Sequence, residues 1–228
     1  MRKPAQQLLA SGPLVVGTVH SPGSLRLAAT LKPGVVDVLE FRIDSLLDQL
    51  DAAERAMRST RFPVLLTVRH PGEGGAGNLN KKQRKELYRR FLPLATFVDI
   101  ELRSLPGFPD LVEEARQTGC VVVVSNHDFK KTPPIAQLIA RQKRAFAAGA
   151  DIFKVACATH TARDLARLLD FAQRPAKGAH SIMGMARFGK ASRIALAEAG
   201  SCLNYGYLDA PNAPGQWEAR ELRRVIGK

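Results

Sequence analysis

Val121-Val122-Val123-Val124-Ser125-Asn126-His127-Asp128 is the stretch that decides the fold. Consecutive β-branched residues with no apolar/polar alternation describe a strand covered on both faces, as strands of parallel sheets are. A second apolar run follows one helix-length later, Ala150-Asp151-Ile152-Phe153-Lys154-Val155-Ala156-Cys157. Between the two, Pro133-Pro134 can open a helix running toward Gly149, because proline suits the first helical turn. Strand, crossover helix, strand is the repeating unit of a parallel sheet.

Working outward, eight short apolar runs can be picked out. They are Leu14 to Val19, Val36 to Ile43, Val64 to Arg69, Phe97 to Leu102, Val121 to His127, Asp151 to Ala156, Ser181 to Ala186 and Cys202 to Leu208. Each interval has room for a helix, and Leu46, Leu47, Leu50, Ala53 and Met57 carry helical periodicity. Gly119 and Gly200 fall where helices should stop before the next strand. Eight β/α units in about 210 residues suit a compact barrel better than an open doubly wound sheet. The chain has no Gly-x-Gly-x-x-Gly after its first strand, no phosphate-loop motif, and no linker or low-complexity stretch. The expectation is a single-domain α/β (β/α)8 TIM barrel over residues 1–228.

Composition narrows the class. An apolar fraction of 45% over 228 residues allows a sizeable core. The start, Met1-Arg2-Lys3-Pro4-Ala5-Gln6-Gln7-Leu8-Leu9-Ala10, is basic, but its apolar run is too short for a secretory segment. No stretch approaches the roughly 18 apolar residues of a membrane span, so a soluble, cytoplasmic protein is expected. Cys120, Cys157 and Cys202 are odd in number and lack metal-ligand spacing. They read as buried thiols, and nothing requires a metal. The formal charge of +13 raises nucleic-acid binding as a non-enzyme alternative. Part of the excess lies in Lys81-Lys82-Gln83-Arg84-Lys85-Glu86-Leu87-Tyr88-Arg89-Arg90, with more in Arg141, Lys143 and Arg144 and near the C-terminus, helical patterns that read as solvated faces. The chain shows no recognition motif, and aromatic residues make up only 6%.

Lys154 is the exception inside the sixth run. Burying an ammonium is costly, so a lysine there either snorkels to water or is retained for its amine. A neutral amine attacks a ketone and forms a Schiff base, for which a nearby histidine is a natural proton carrier. In a barrel, such residues belong at the C-terminal ends of strands. Glu40, Arg42 and Asp44 close the second run at spacing two and should share a face. Arg69 ends the third with Glu73 in its loop, His127 ends the fifth, and Arg193 and Gln216 follow the seventh and eighth. These charges would converge on one mouth. Structural ion pairs of Glu40 with Arg42 and of Arg69 with Glu73 are the alternative reading. His20, His70, His160 and His180 have no such context, and Gly74, Gly75 and Gly77 suggest a flexible loop.

Several motifs, in order and across nearly the whole chain, resemble the type I 3-dehydroquinate dehydratases. They are Glu40-Phe41-Arg42-Ile43-Asp44, Thr67-Val68-Arg69 with Glu73-Gly74-Gly75, Ser125-Asn126-His127-Asp128-Phe129, Asp151-Ile152-Phe153-Lys154-Val155-Ala156, Met183-Gly184-Met185 with Gly189-Lys190-Ala191-Ser192-Arg193, and Ala213-Pro214-Gly215-Gln216. The resemblance implies a shikimate-pathway lyase that converts 3-dehydroquinate to 3-dehydroshikimate. Lys154 would be the Schiff-base amine, His127 the general acid and base, and Glu73 the carboxylate that orients His127 and favours its imidazolium. Arg193 and Gln216 would take the substrate carboxylate. Glu40, Arg42 and Arg69 would read its hydroxyls, with the arginines also helping to keep Lys154 uncharged. No cofactor beyond the covalent imine and no metal is implied. The partners implied are a small anionic substrate and a second copy in a homodimer, with no nucleic acid and no membrane.

The chain departs from the family pattern at Asn212, where many members have serine in a loop that closes over substrate. The larger amide makes Asn212 a further binding candidate and predicts altered loop closure. The competing enzyme reading is another Schiff-base lyase, such as a deoxyribose-phosphate aldolase or transaldolase. Those would call for a phosphate site where this chain offers arginine and glutamine.

Overall fold

The structure is a computed structural model and describes residues 5–227. Met1 to Pro4, part of the N-terminal reading above, and Lys228 lie outside the described residues.

Eight parallel strands form the wall: β1 Leu14–Val19, β2 Val38–Arg42, β3 Val64–Thr67, β4 Phe97–Glu101, β5 Val121–Asp128, β6 Ile152–Ala158, β7 Ala179–Met185 and β8 Leu203–Tyr207. Helix α1, Ala5–Leu9, precedes them. Helices α2 Pro22–Thr30, α3 Leu50–Ser59, α4 Lys81–Phe91, α5 Pro109–Gln117, α6 Ile135–Ala147, α7 Ala162–Ala172, α8 Gly189–Glu198 and α9 Ala219–Ile226 follow the strands in turn. The fold is the expected (β/α)8 barrel. Two elements were not anticipated: helix α1 and a two-residue strand β9, Trp217–Glu218, which pairs in parallel with β8 just before α9.

The ladder order is β7-β6-β5-β4-β3-β2-β1-β8-β9. With β9 only an appendage on β8, the ring closes between β7 and β8, which are joined by the Cys202 N–H to His180 carbonyl bond, 2.8 Å, and by the Ser181 hydroxyl donating to the Leu203 carbonyl, 2.7 Å. Along each strand the residues alternate between two cores. Val15, Leu39, Phe41, Val122, Val124, Phe153 and Val155 face the helices, whereas Val16, Val38, Leu65, Phe97, Val123, Ile152 and Leu203 fill the barrel. Leu8 of α1 belongs to the inner cluster.

Above that plug the composition of the barrel interior changes. Inward side chains of a (β/α)8 barrel stack in layers drawn from alternate strands and are usually branched aliphatics. Here the even strands β2, β4, β6 and β8 contribute Glu40, Asp99, Lys154 and Tyr205, all buried. Thr18, Thr67 and Ser125, buried on odd strands β1, β3 and β5, hydrogen-bond to the carboxylates of this group. Those hydroxyls meet the hydrogen-bonding need of carboxylates that have left water.

The basic helix α4 differs from the solvated face expected of it. Arg84 is 2% exposed and donates to the Val68 carbonyl, Ser104 and Glu101, while the Tyr88 hydroxyl reaches the Asp99 carbonyl. Only its other basic side chains make the solvated face. Cys120 and Cys157 are buried free thiols and Cys202 is partly buried. Among the described residues, no helix is long and apolar enough to cross a membrane.

Candidate active site

All nine residues singled out in the sequence, Lys154, His127, Glu73, Glu40, Arg42, Arg69, Arg193, Gln216 and Asn212, line one cavity of about 110 Å³. It opens at the C-terminal ends of the strands, where a barrel places its chemistry. Phe129, Met183, Met185 and Tyr205 add apolar wall.

Lys154 does not snorkel. It is 3% exposed on β6, its Nζ lies 3.8 Å from the centre of the Tyr205 ring, and it donates to Asp99 Oδ2 at 2.9 Å. Glu40 Oε1 stands 3.8 Å away. The amine therefore has two carboxylates as neighbours besides the arginines that the sequence reading emphasised. Glu40 accepts from the Thr67 hydroxyl at 2.9 Å and from Thr18 at 3.2 Å. The hydroxyl of Tyr205 is buried without a hydrogen-bond partner among the described residues.

The ion pairs differ from the two that spacing suggested. Arg42 pairs with Asp44, not Glu40, through Nε at 2.9 Å and Nη2 at 2.7 Å. Asp44 lies beyond the strand in a 3-10 turn, Ile43–Ser45, which bends it back onto the guanidinium. The same carboxylate accepts the N–H groups of Arg69 and Ala76, fastening the loop after β3. Arg69 pairs with Asp99 instead of Glu73, through Nη1 at 3.0 Å and Nη2 at 2.8 Å, and reaches Glu101 at 3.3 Å. Bidentate geometry of this kind makes the guanidinium a rigid brace. The glycines of that loop serve close approach rather than flexibility. A Cβ on Gly75 would fall 2.4 Å from the Arg69 carbonyl.

Glu73 faces His127. Its Oε2 lies 2.9 Å from Nδ1 and accepts the His127 N–H at 3.0 Å. The expected preference for imidazolium is reversed in the free site. Burial, with the nearby positive charges of Arg69 and Lys154, holds His127 well below the usual histidine range, although Asp99 opposes this. Burial also pushes Glu73 up to about 7, with Glu101 and Asp99 adding to it and Arg69 opposing. A neutral ring suits a group that must first accept a proton. Phe129 stacks on that ring at 6.3 Å with an 18° interplanar angle.

Arg193, on α8, is 2% exposed. Nη1 donates to the carbonyls of Gly184, Gly189 and Gly215, and Nε to that of Tyr205. Among the described residues it has no carboxylate partner, and burial alone lowers its guanidinium to about 10. A buried cation with only dipoles around it is a site awaiting an anion. Gln216 Oε1 accepts the Asn212 N–H at 3.0 Å, and the Ala186 N–H donates to the Pro214 carbonyl, so the loop after β8 is folded over the cavity.

Asp99, Glu101, Ser125 and Tyr205 were not singled out from the sequence. Asp99 and Glu101 were legible as a period-two pair inside Phe97-Val98-Asp99-Ile100-Glu101, an apolar run where each carboxylate needs a partner. Among the described residues, no group of three or more His, Cys, Asp and Glu side chains is arranged to hold a metal ion.

Comparison with known proteins gives a consistent family. The profile described as Type I 3-dehydroquinase matches residues 15–227. A 3-dehydroquinate dehydratase of Hydrogenobaculum sp. (strain Y04AAS1) is 33% identical over 199 residues, covering 86% of this chain and 89% of that protein. One from Methanosarcina barkeri (strain Fusaro / DSM 804) is 34% identical over 203 residues, covering 83% and 84%. Among solved structures, the type I 3-dehydroquinate dehydratase of Clostridium difficile with covalently modified comenic acid superposes with a TM-score of 0.84 at 25% identity, covering 94% of this chain and 91% of that one.

Proposed function

The chain belongs to the type I 3-dehydroquinase family and is a hydro-lyase of 3-dehydroquinate, and from this premise we propose that it works through an imine at Lys154. The amine condenses with the C3 ketone, releasing water and leaving a protonated imine. That cation is an electron sink for the adjacent C2–H bond. Neutral His127 takes the C2 proton, giving an enamine. The enamine electrons then expel the C1 hydroxyl as His127 returns its proton to the departing oxygen, so C–O cleavage releases a second water. Hydrolysis of the conjugated imine restores Lys154 and yields 3-dehydroshikimate. The imine supplies the electron sink, so the scheme needs no cofactor. Its place is the shikimate pathway.

The observation that carries this reading is the pairing of functions in one cavity. A buried amine and a neutral histidine line the same space as Arg193, a buried guanidinium without an acid partner among the described residues. The substrate has one carboxylate and one ketone, for which the cavity offers the acid-free guanidinium of Arg193 and the amine of Lys154. Glu73 holds the His127 ring by Nδ1, while Gln216, which lines the same cavity as Arg193, joins it in taking the carboxylate. Glu40, Arg42 and Arg69 serve the hydroxyls, and Asn212 lies on the loop that covers the ring. Aldolases acting on phosphorylated sugars would need a phosphate cradle where this cavity has only Arg193 free of an acid partner among the described residues.

Borohydride treatment in the presence of dehydroquinate tests the scheme. The expected result is a stable mass increase on the Lys154 peptide, together with the ultraviolet absorbance of the conjugated enone in untreated reactions. Turnover without any trappable adduct would remove the imine from the mechanism.

A further inference from the structure

We propose that Asp99 is the fixed counter-ion of the Lys154 nitrogen at each cationic stage of the reaction, pairing first with the ammonium and then with the protonated imine. The inference rests on the imine reading above and extends it to a residue which that scheme does not use.

The argument starts from the atom balance of condensation. Lys154–NH3+ and the C3 ketone give Lys154–NH+=C3 and one water. The nitrogen gives two hydrogens to the departing oxygen, forms the C=N bond, and keeps one N–H and its positive charge. Its need for an anion is the same before and after, while its hydrogen-bonding capacity falls to one donor. Asp99 meets that reduced need, because Nζ already donates a hydrogen bond to Asp99 Oδ2 at 2.9 Å.

Asp99 is also immobilised. It is fully buried on β4, held by two guanidinium bonds from Arg69 and by the Ser125 hydroxyl at 2.5 Å. Burial opposes its ionisation, but Arg69 and Lys154 outweigh this and hold the carboxyl well below the usual range. An anion so braced does not follow a proton to the substrate. Glu40 is a poorer candidate, since it stands 3.8 Å from Nζ and both of its oxygens are taken by Thr18 and Thr67 hydroxyls. The other charged or titratable groups around the pair are Arg69 from the loop after β3, Glu101 on β4, His127 from β5 and Tyr205 from β8. In the low-dielectric interior a fixed charge at this distance strongly favours the cationic over the neutral imine.

The test is the pH dependence of borohydride trapping with dehydroquinate, read as adduct at Lys154, in the parent protein, Asp99→Asn and Asp99→Glu. Borohydride reduces the protonated imine, so the alkaline limb of the profile reports its proton affinity. Asp99→Asn is expected to move that limb down by at least ~1 pH unit, a tenfold loss of proton affinity. Asp99→Glu keeps the charge and should restore the limb even where kcat stays low. Circular dichroism confirms folding of each variant. Where Asp99→Asn does not fold, because Arg69 has lost its partner, Arg69→Met is compared with Arg69→Met/Asp99→Asn, and the same shift is expected between those two. Coincident alkaline limbs in folded proteins overturn the counter-ion and leave Asp99 a structural brace. Absence of adduct in the parent is a different result and overturns the imine reading itself.

Discussion

One oxygen of Glu73 holds His127 twice, taking the ring Nδ1 at 2.9 Å and the main-chain N–H of the same residue at 3.0 Å. The carboxyl thus fixes both where β5 ends and how its last catalytic candidate is turned. The proton inventory of the pair is unusual. Burial raises the carboxyl of Glu73 to about 7 and lowers the ring of His127, so the proton of the pair is favoured on Glu73.

That inventory sets a stability profile. Between about pH 4.5 and 6.5 the unfolded chain holds an ionised carboxylate and an imidazolium, again one proton, so the pair contributes almost no slope. Glu73→Gln removes the compensation. As pH falls from about 6.5 toward the lowered pKa of the folded ring, the unfolded chain gains a proton on His127 that the folded state resists, so stability relative to the parent falls with acidification by up to ~1.4 kcal/mol per pH unit. Denaturant unfolding across that window checks the difference, and parallel curves for parent and variant would contradict it.

Lys154→Ala is expected to abolish turnover while the barrel stays folded. Asp99 keeps its two bonds to Arg69 and its bond to Ser125, so no buried charge is orphaned. Steady-state assay and thermal unfolding should be read together. Turnover at the parent rate would show that the amine is not the nucleophile.

His127→Ala separates condensation from proton transfer. Turnover is expected to drop by about 10²–10⁴-fold, whereas borohydride should still trap an adduct at Lys154. Full activity in this variant would take His127 out of the chemistry.

For Arg193 the informative comparison is lysine against alanine. Lysine preserves the charge but loses the planar fork that spans the carbonyls of Gly184, Gly189, Gly215 and Tyr205. A loss of about 1.5–3 kcal/mol in kcat/KM is expected for Arg193→Lys, with a lowered Tm as the brace is lost. If the lysine variant is near normal and only Arg193→Ala fails, charge alone suffices there.

Asn212→Ala should leave stability within about 0.5 kcal/mol, because the brace to Gln216 uses the Asn212 main chain and not its amide. Any change belongs in KM. A substantial fall in Tm would give the side chain a structural part.

The barrel was legible because its strands are read through local composition: Val121 to Val124 and the run around Lys154 carry the parallel-sheet signature by themselves. Lys154, His127, Arg193 and Gln216 were legible through motif order. Which acid meets which base was not. Arg42 with Glu40 and Arg69 with Glu73 are near in sequence, but the partners chosen, Asp44 through a turn and Asp99 from a neighbouring strand, depend on barrel curvature and on the strand-end turn. The resemblance likewise set Glu73 beside His127 in favour of the imidazolium, whereas burial and the charges of Arg69 and Lys154 hold the ring low. Arg84 escaped for a related reason: a charge run has one face turned inward, and composition does not say which residue lies on it.

Closure of the wall between β7 and β8 by a main-chain bond at Cys202 and the hydroxyls of Ser181 and Ser201, in place of a continuous ladder, makes that line the place where the barrel should breathe. Arg193 straddles it, gripping Gly184 at one edge and Tyr205 at the other. An anion that engages this guanidinium therefore acts as a clasp across the gap. Occupancy of the cavity should slow amide exchange at Cys202 more than at Val123, buried within the laddered strand β5, so that turnover and local opening share one hinge line.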